Sequence, residues 1–207
     1  MLWAGHGQDD RDGGRLWRGD WEGEPLDYDR QWEVFAALVR TAVAGVRNAA
    51  ADWDVAIDVM VHIDTGAYVA QADWWLRRAL DHGITFDLIG LSFYPMWHNG
   101  ATIRALEALG LLCVNFPGTG IVLAETAFPY RLPADGYMPY DLEFPVTPSG
   151  QRDYLATAFE KLRRLPTGRG LFWWGGFFTE GADCYRAHAL LDDRGRPVPA
   201  LAAFAGA

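Results

Sequence analysis

The sequence predicts an α/β fold with parallel strands, arranged as about four strand-helix units. Short apolar runs rich in Val and Ile alternate with longer amphipathic stretches, a pattern typical of parallel strands joined by helical crossovers. No glycine-rich phosphate loop follows the first strand, which disfavours the competing doubly wound sheet. A closed (β/α)8 barrel needs about 250 residues. Four units in 207 residues therefore predict half of such a barrel.

The first predicted elements are a loop over residues 4–26 and a long helix over about 27–48. The expected apolar face of that helix consists of Trp32, Phe35, Leu38, Val39, Ala42, Val43 and Val46. A strand is predicted over 55–64. The helix that follows, over 69–81, should end at His82-Gly83, because glycine readily adopts the left-handed conformation that closes helices.

The rest of the chain continues the alternation. The expected elements are strands over 86–94, 120–125 and 170–174, helices over 101–111 and 148–165, and a short Ala-rich closing helix. Thr147 is predicted to cap the helix that begins at Pro148, because Thr at the cap and Pro at the first position favour a helix start.

Composition limits the partners. A net charge of −9 disfavours nucleic acid and anionic membranes, and ten Trp residues weakly favour a carbohydrate ligand, since flat aromatic rings stack on sugars. We predict no membrane-spanning run, no cofactor and no metal site. Cys113 is expected in the core, and a disulfide between Cys113 and Cys184 is left open.

Glu125 is the candidate catalytic carboxylate, because it ends an apolar strand where burying a charge is costly unless the charge is used. The alternative is a Glu satisfied by an arginine or by backbone N–H groups. A glycosidase needs a second carboxylate. Asp64 and Asp58 could face the same cleft, Asp87 begins a strand and so lies at the opposite end, and Glu180 lies in a loop. None is a convincing partner.

Polar and aromatic side chains gather where the predicted strands end, which is where parallel barrels carry their active sites. The candidate substrate-binding residues are His62, Asp64, Tyr94, Trp97, His98 and Trp174. His62 and Asp64 share a face and could orient a sugar hydroxyl, or they could be a polar pair satisfied within the barrel. The aromatic residues could form a sugar platform or pack within a loop. His6 and His188 are expected at the surface.

Several segments resemble one known family in order along the chain. They are Met1-Leu2-Trp3, Val61 to Gly66, Phe86 to His98, Ile121 to Pro129, Phe144 to Gln151 and Gly168 to Trp174. Together they are similar to glycoside hydrolase family 53, the endo-β-1,4-galactanases that act on arabinogalactan.

The resemblance implies a secreted, retaining (β/α)8 enzyme with Glu125 as nucleophile and β-1,4-galactan as substrate. It also implies that residues 1–207 are a single partial domain, the C-terminal half of the barrel. The family's acid/base Glu comes shortly before the stretch matched by Met1-Leu2-Trp3, so we expect a fragment that lacks strands one to four and that glutamate, inactive alone. Another retaining glycosidase, such as a mannanase or xylanase, and a non-catalytic carbohydrate-binding remnant are the alternatives.

Two features bear on how far the resemblance extends. Gly175-Gly176 stands where the family usually has Glu-Pro, which puts the polar network beneath the sugar in doubt. Some bacterial members hold calcium in the loop after the nucleophile strand. Here that loop offers Asp135, Asp141 and Glu143 without dense ligand spacing, so we predict no metal.

Overall fold

The computed structural model describes residues 28–64, 66–98, 102–134, 141–178 and 183–206. Within these ranges one parallel sheet has the strand order β1-β2-β3-β4. The strands are β1 Met60–Ile63, β2 Leu88–Phe93, β3 Gly120–Thr126 and β4 Gly168–Trp173. This order confirms the predicted α/β class, in which consecutive strands are parallel neighbours.

Helices precede the first strand, connect the strands and follow the last one. They are α1 Tyr28–Asp52, α2 Val69–Asp81, α3 Ala105–Ala108, α4 Gly110–Asn115, α5 Pro148–Arg164 and α6 Asp183–Arg186, followed by a 3-10 helix at Pro199–Gly206. The predicted bounds of α2 are confirmed, and Gly83 follows its end with a φ of +73°. That conformation is costly for residues with a Cβ, which explains a glycine there.

The main core lies between one face of the sheet and the helices. Alternate strand residues such as Val61, Leu91 and Leu123 belong to the same buried cluster as Leu76 of α2 and Tyr154 of α5. Because side chains alternate along a strand, the residues between them project to the opposite face. The sheet therefore separates a helix-covered core from the face on which the candidate polar residues lie.

Strand β1 is shorter than predicted. The expected strand over 55–64 pairs only from Met60, which lies opposite Leu88, the first residue of β2. Val55 and Ile57 are exposed, and so is Asp58. Asp58 therefore precedes the strand, and the expectation that it lies mid-strand is wrong.

The helix predicted over 101–111 is interrupted. The structure has two short helices, α3 and α4, separated at Leu109. Its N–H donates to the Leu106 carbonyl, three residues earlier, at 3.3 Å. Gly110 follows directly, and glycine in a helix interior costs about 1 kcal/mol relative to alanine. The apolar periodicity was correct, since Leu106, Leu109 and Leu112 are all buried.

Helix α1 buries only the first part of its predicted apolar face. Trp32 and Phe35 are buried, whereas Leu38 and Val46 are exposed. The 21 residues Trp32–Asp52 have the length and mean hydropathy, 1.2, of a possible membrane-crossing helix, so the expectation that no run is long enough is wrong on those criteria. Core helices of soluble proteins and signal sequences near an N-terminus share this length and hydropathy, so these two properties alone do not assign α1 to a membrane.

The predicted cap of α5 is confirmed and gives a stability prediction. The Thr147 hydroxyl accepts a hydrogen bond from the Gly150 N–H at 3.0 Å. Replacing Thr147 by Ala should lower the free energy of unfolding by about 1 kcal/mol, because the N–H loses its partner. Urea denaturation measures this, with Thr147→Ser as the control that keeps the hydroxyl. Equal loss in both variants would contradict the capping role.

Candidate active site

A β-bulge in β3 sets the direction of the Glu125 side chain. Leu91 pairs with Leu123, but the next residue of β2, Ser92, pairs with Glu125, so Ala124 is an extra residue in β3. Such a bulge reverses the alternation beyond it. Without it, Glu125 would project to the same face as Leu123, into the helix-covered core. With it, Glu125 lies on the face of Ser92.

Thr126, the next residue, shows the consequence of the bulge. It is fully buried, and its hydroxyl donates to the Phe93 carbonyl at 2.7 Å. The same oxygen lies 2.5 Å from the Tyr154 hydroxyl of α5, so Thr126 faces the helices. These contacts fix the backbone on one side of Glu125 while its carboxylate projects to the other.

The Glu125 carboxylate accepts a hydrogen bond from Tyr94. The phenolic oxygen lies 2.9 Å from Oε2, and Tyr94 is 5% exposed. Burial, and next the bond to Glu125, raise the pKa of the Tyr94 phenol, so the phenol stays protonated and can donate. Within the described residues no arginine pairs with Glu125, so the alternative of an arginine-satisfied carboxylate is not what the structure shows.

Glu125 opens into a cavity of about 150 Å³. The lining residues are His62, Ile63, Asp64, Ser92, Tyr94, His98 and Glu125. They come from the carboxyl ends of β1, β2 and β3 and the turns that follow, which is the edge where parallel barrels place active sites. The cavity thus brings together five of the seven residues singled out in the sequence and places two carboxylates in one site.

His62 and Asp64 both line this cavity, as their shared face predicts. His62 Nε2 lies 2.9 Å from the Ser92 hydroxyl, which couples the ends of β1 and β2. Gly66 donates its N–H to the Ser92 carbonyl at 3.0 Å, and a Cβ at Gly66 would lie 2.4 Å from that oxygen. The glycine therefore permits the close approach that fixes the chain just after Asp64.

His98 is held by a reciprocal contact with the backbone of Tyr94. The Tyr94 N–H donates to His98 Nδ1 at 3.2 Å, and the His98 N–H donates to the Tyr94 carbonyl at 2.8 Å. Because Nδ1 accepts, the neutral ring carries its proton on Nε2. Burial lowers the pKa of His98, although the Asp64 carboxylate opposes that shift. His98 is therefore a neutral N–H donor in the cavity wall.

This pKa shift predicts acid sensitivity. The unfolded chain binds a proton at His98 near pH 6.5, while the folded chain binds it only at lower pH, so stability falls as the pH drops below that value. His188 adds to the effect, since burial lowers its pKa to about 4. The thermal midpoint should fall between about pH 6.5 and pH 4, and less steeply in His98→Gln. An unchanged slope in the variant would contradict this origin.

Trp174 and Trp97 stand beside the cavity with Tyr94. The Trp97 ring lies 4.6 Å from Tyr94 and 6.2 Å from Trp174, and 46% of Trp97 is exposed. Trp173 instead packs against the core and donates its indole N–H to the His188 carbonyl at 2.9 Å. Trp174 contacts the rings of Tyr94 and Trp97 without lining the cavity itself, so its role in binding stays a prediction.

His188 is a residue that sequence reasoning missed. The expectation of a surface position is wrong, because His188 is 3% exposed and its ring lies 5.7 Å from Trp97. Nothing in the flanking residues signals this, since the contact comes from a segment about 90 positions away in the chain. His6 and Glu180 lie outside the described residues.

The remaining candidates have structural partners. Asp87 lies at the opposite end of the sheet, where it pairs with Arg47 and accepts from the Val59 N–H at 2.7 Å. Glu143 accepts from the Ile103 N–H at 2.8 Å, Asp141 is exposed, and Asp135 is outside the described ranges.

In the described part of the chain no three His, Cys, Asp or Glu side chains group as metal ligands. Both cysteines, including buried Cys113, are free thiols.

Comparison with known proteins identifies the family of this site. A family model described as glycosyl hydrolase family 53 matches residues 11–204. The chain belongs to this family. A Niallia circulans protein from the bgaB 5′ region is 35% identical over 173 residues, 78% of this chain and 45% of that protein. An arabinogalactan endo-β-1,4-galactanase of Humicola insolens is 30% identical over 72% of this chain and 46% of its own length.

Solved structures of family 53 share the fold. One from a study of two fungal β-1,4-galactanases superposes with a TM-score of 0.74 at 25% identity, covering 88% of this chain and 57% of that one. The family 53 catalytic domain of Ignisphaera aggregans gives a TM-score of 0.73 at 23% identity, covering 87% and 54%. This chain spans about half the length of the relatives it matches, which confirms the predicted half-barrel fold.

Proposed function

We propose that this protein is a retaining glycoside hydrolase that cleaves β-1,4-galactan, with Glu125 as its nucleophile. The observation that carries the proposal is the Glu125 carboxylate, held by the Tyr94 hydroxyl at 2.9 Å in a cavity at the strand ends of a family 53 chain. Relatives from several fungi and from Cellvibrio japonicus are named arabinogalactan endo-β-1,4-galactanases, which supports galactan as the substrate class.

In the proposed reaction a Glu125 oxygen attacks the anomeric carbon and the glycosidic bond to the leaving oxygen breaks. A glycosyl ester forms on Glu125, and water then hydrolyses it. The Tyr94 hydrogen bond holds one carboxylate oxygen in place. The other oxygen is then the one directed at the sugar, and the fixed orientation reduces the entropy lost in reaching the transition state.

The second carboxylate in the cavity, Asp64, is assigned to binding. A retaining enzyme needs an acid/base roughly 5 Å from its nucleophile, and the resemblance implies that a Glu before the stretch matched by Met1-Leu2-Trp3 has that role. Asp64 lies beside His98 and His62, where a carboxylate and imidazoles can accept from and donate to sugar hydroxyls. We infer that the acid/base lies outside residues 1–207.

The surface on which a sugar ring stacks is formed, in this proposal, by Trp97, Tyr94 and Trp174. Their rings contact one another beside the cavity, and nearly half of Trp97 remains exposed. An exposed aromatic face next to polar donors is the arrangement that binds a sugar ring through its apolar side while its hydroxyls are hydrogen-bonded.

The test compares substrates under one condition. Protein extended at its N-terminus by the upstream strand-helix units, including the acid/base glutamate, is incubated with β-1,4-galactan, xylan and mannan, and released reducing ends and binding to each polysaccharide are both measured. We expect release from galactan at least about 10-fold faster than from the others, since a mismatched hydroxyl in a hydrogen-bonding site is strongly rejected. Faster release from xylan or mannan would contradict the galactan assignment. Binding without release would favour the non-catalytic remnant.

A further inference from the structure

Trp97 rests on a buried histidine that the proposed reaction does not use. His188 lies in the segment after α6, is 3% exposed, and meets the Trp97 ring edge-on at 5.7 Å with an interplanar angle of 73°. Tyr94 and Trp174 contact Trp97 on other sides. Trp97 is thus bounded by three rings and keeps 46% of its surface exposed.

The backbone of His188 is fixed from three directions. Its carbonyl accepts from Trp173 Nε1 of β4 at 2.9 Å and from Gln151 Nε2 of α5 at 3.2 Å, and its N–H donates to the Tyr185 carbonyl at 3.1 Å. Gln151 is itself fully buried and also donates to the Phe128 carbonyl, in the loop after β3, at 2.8 Å. The histidine ring therefore projects from a backbone position that is hydrogen-bonded to β4 and to α5, and α5 is in turn hydrogen-bonded to the loop after Glu125.

The Nδ1 atom of His188 does not account for the presence of this ring. Nδ1 is buried and has no hydrogen-bond partner among the described residues. A buried polar atom without a partner costs free energy, so a hydrogen bond at Nδ1 does not explain a histidine here, whereas the edge-on contact of the ring with Trp97 is observed. A ring of similar size without nitrogen should make the same contact.

We propose that His188 is a positioning residue that sets the orientation of Trp97 and thereby the plane on which the substrate's sugar ring stacks. The proposal rests on the proposed function for the identity of the ligand, but not for the contact itself. If the ring is removed, a space opens behind Trp97, and the indole can rotate into it because its opposite side faces solvent. The stacking plane is then no longer fixed, and binding weakens without loss of the Glu125 carboxylate.

Three variants separate ring shape from general destabilisation. His188→Ala removes the ring, His188→Leu fills part of the space without a flat face, and His188→Phe keeps a flat ring without nitrogen. The first readout needs no ligand: the indole N–H signal of Trp97 in ¹⁵N-labelled protein, assigned by its absence in Trp97→Phe. The second is the Kd for a β-1,4-galacto-oligosaccharide, with urea midpoints recorded for every variant.

We expect the Trp97 signal to shift or broaden in His188→Ala and His188→Leu but to stay near its original position in His188→Phe. The Kd should rise about 3- to 10-fold in the first two variants, as expected for loss of one aromatic pair, and should be restored in His188→Phe. If His188→Ala does not fold, His188→Leu decides the same question. An unchanged Trp97 signal and Kd in His188→Leu would overturn the proposal.

The two proposals fail in different ways. If the unmodified protein binds no galacto-oligosaccharide, the proposed substrate is wrong, while the Trp97 signal still reports whether His188 holds the indole. If the unmodified protein binds and the signal in His188→Phe moves as far as in His188→Leu, ring shape is not what positions Trp97, and the substrate assignment stands.

Discussion

In a full-length version that carries the acid/base glutamate, Glu125→Gln should reduce hydrolysis of β-1,4-galactan by at least about 10³-fold, the scale seen when a nucleophile is removed. Glutamine matches the volume of glutamate and can still accept from the Tyr94 hydroxyl, which lies 2.9 Å from Glu125 Oε2. Its neutral amide cannot form the glycosyl ester. The expected result is therefore a fall in kcat with nearly unchanged binding, measured as initial rates of reducing-end release.

The matched control changes another glutamate in the same way. Glu160 of α5 is exposed and pairs with Arg164, four residues along the helix. Glu160→Gln should keep full activity. A loss of less than about 10-fold in Glu125→Gln would contradict the nucleophile assignment, because no neutral side chain at that position can replace the attacking oxygen.

In the same full-length version, Tyr94→Phe should lower kcat by roughly 10- to 100-fold, which corresponds to about 1.5–3 kcal/mol for a hydrogen bond to a charged group. The variant keeps the aromatic ring that lies 4.6 Å from Trp97 and removes only the hydroxyl on Glu125. The carboxylate then loses its fixed orientation, while the stacking surface remains. We therefore expect KM to change much less than kcat.

Tyr130→Phe is the control for loss of a tyrosine hydroxyl. Tyr130 is also buried, but its hydroxyl contacts Arg131, outside the cavity. This variant should retain kcat and KM. A Tyr94→Phe variant with a raised KM and an unchanged kcat would show that the hydroxyl serves binding, and the positioning of Glu125 would need another cause.

The sequence predicted the parts of the fold that depend on local chemistry. The bounds of α2 were predicted to the residue and the Thr147 cap was confirmed, because periodicity and capping are properties of neighbouring residues. The alternation of strands and helices also predicted that the carboxyl ends of the strands lie together at one edge of the sheet. His62, Asp64, Tyr94, His98 and Glu125 line one cavity as a result.

The features that were missed depend on distant contacts. The β-bulge at Ala124 arises from how β3 pairs with β2, and simple alternation along β3 would have turned Glu125 into the core. The burial of His188 depends on Trp97 and Gln151, which come from other loops and helices. Likewise, β1 begins only at Met60, which lies opposite the first residue of β2. None of these pairings is encoded in a single stretch of sequence.

The central claim is that Glu125 is the residue that attacks the sugar, and covalent trapping tests it directly. A 2-deoxy-2-fluoro-β-galactobiosyl fluoride has an electronegative fluorine that slows both chemical steps and a fluoride leaving group that departs with little protonation. The trap therefore depends little on an acid/base residue. Attack forms a glycosyl ester and releases fluoride.

After incubation with this fluoride, the protein is digested and its peptides are analysed by mass spectrometry. We expect one added fluorogalactobiosyl group, on the peptide that contains Glu125, and none in Glu125→Gln. A label on Asp64, the other carboxylate of the cavity, or no label on a preparation that binds galactan, would contradict it.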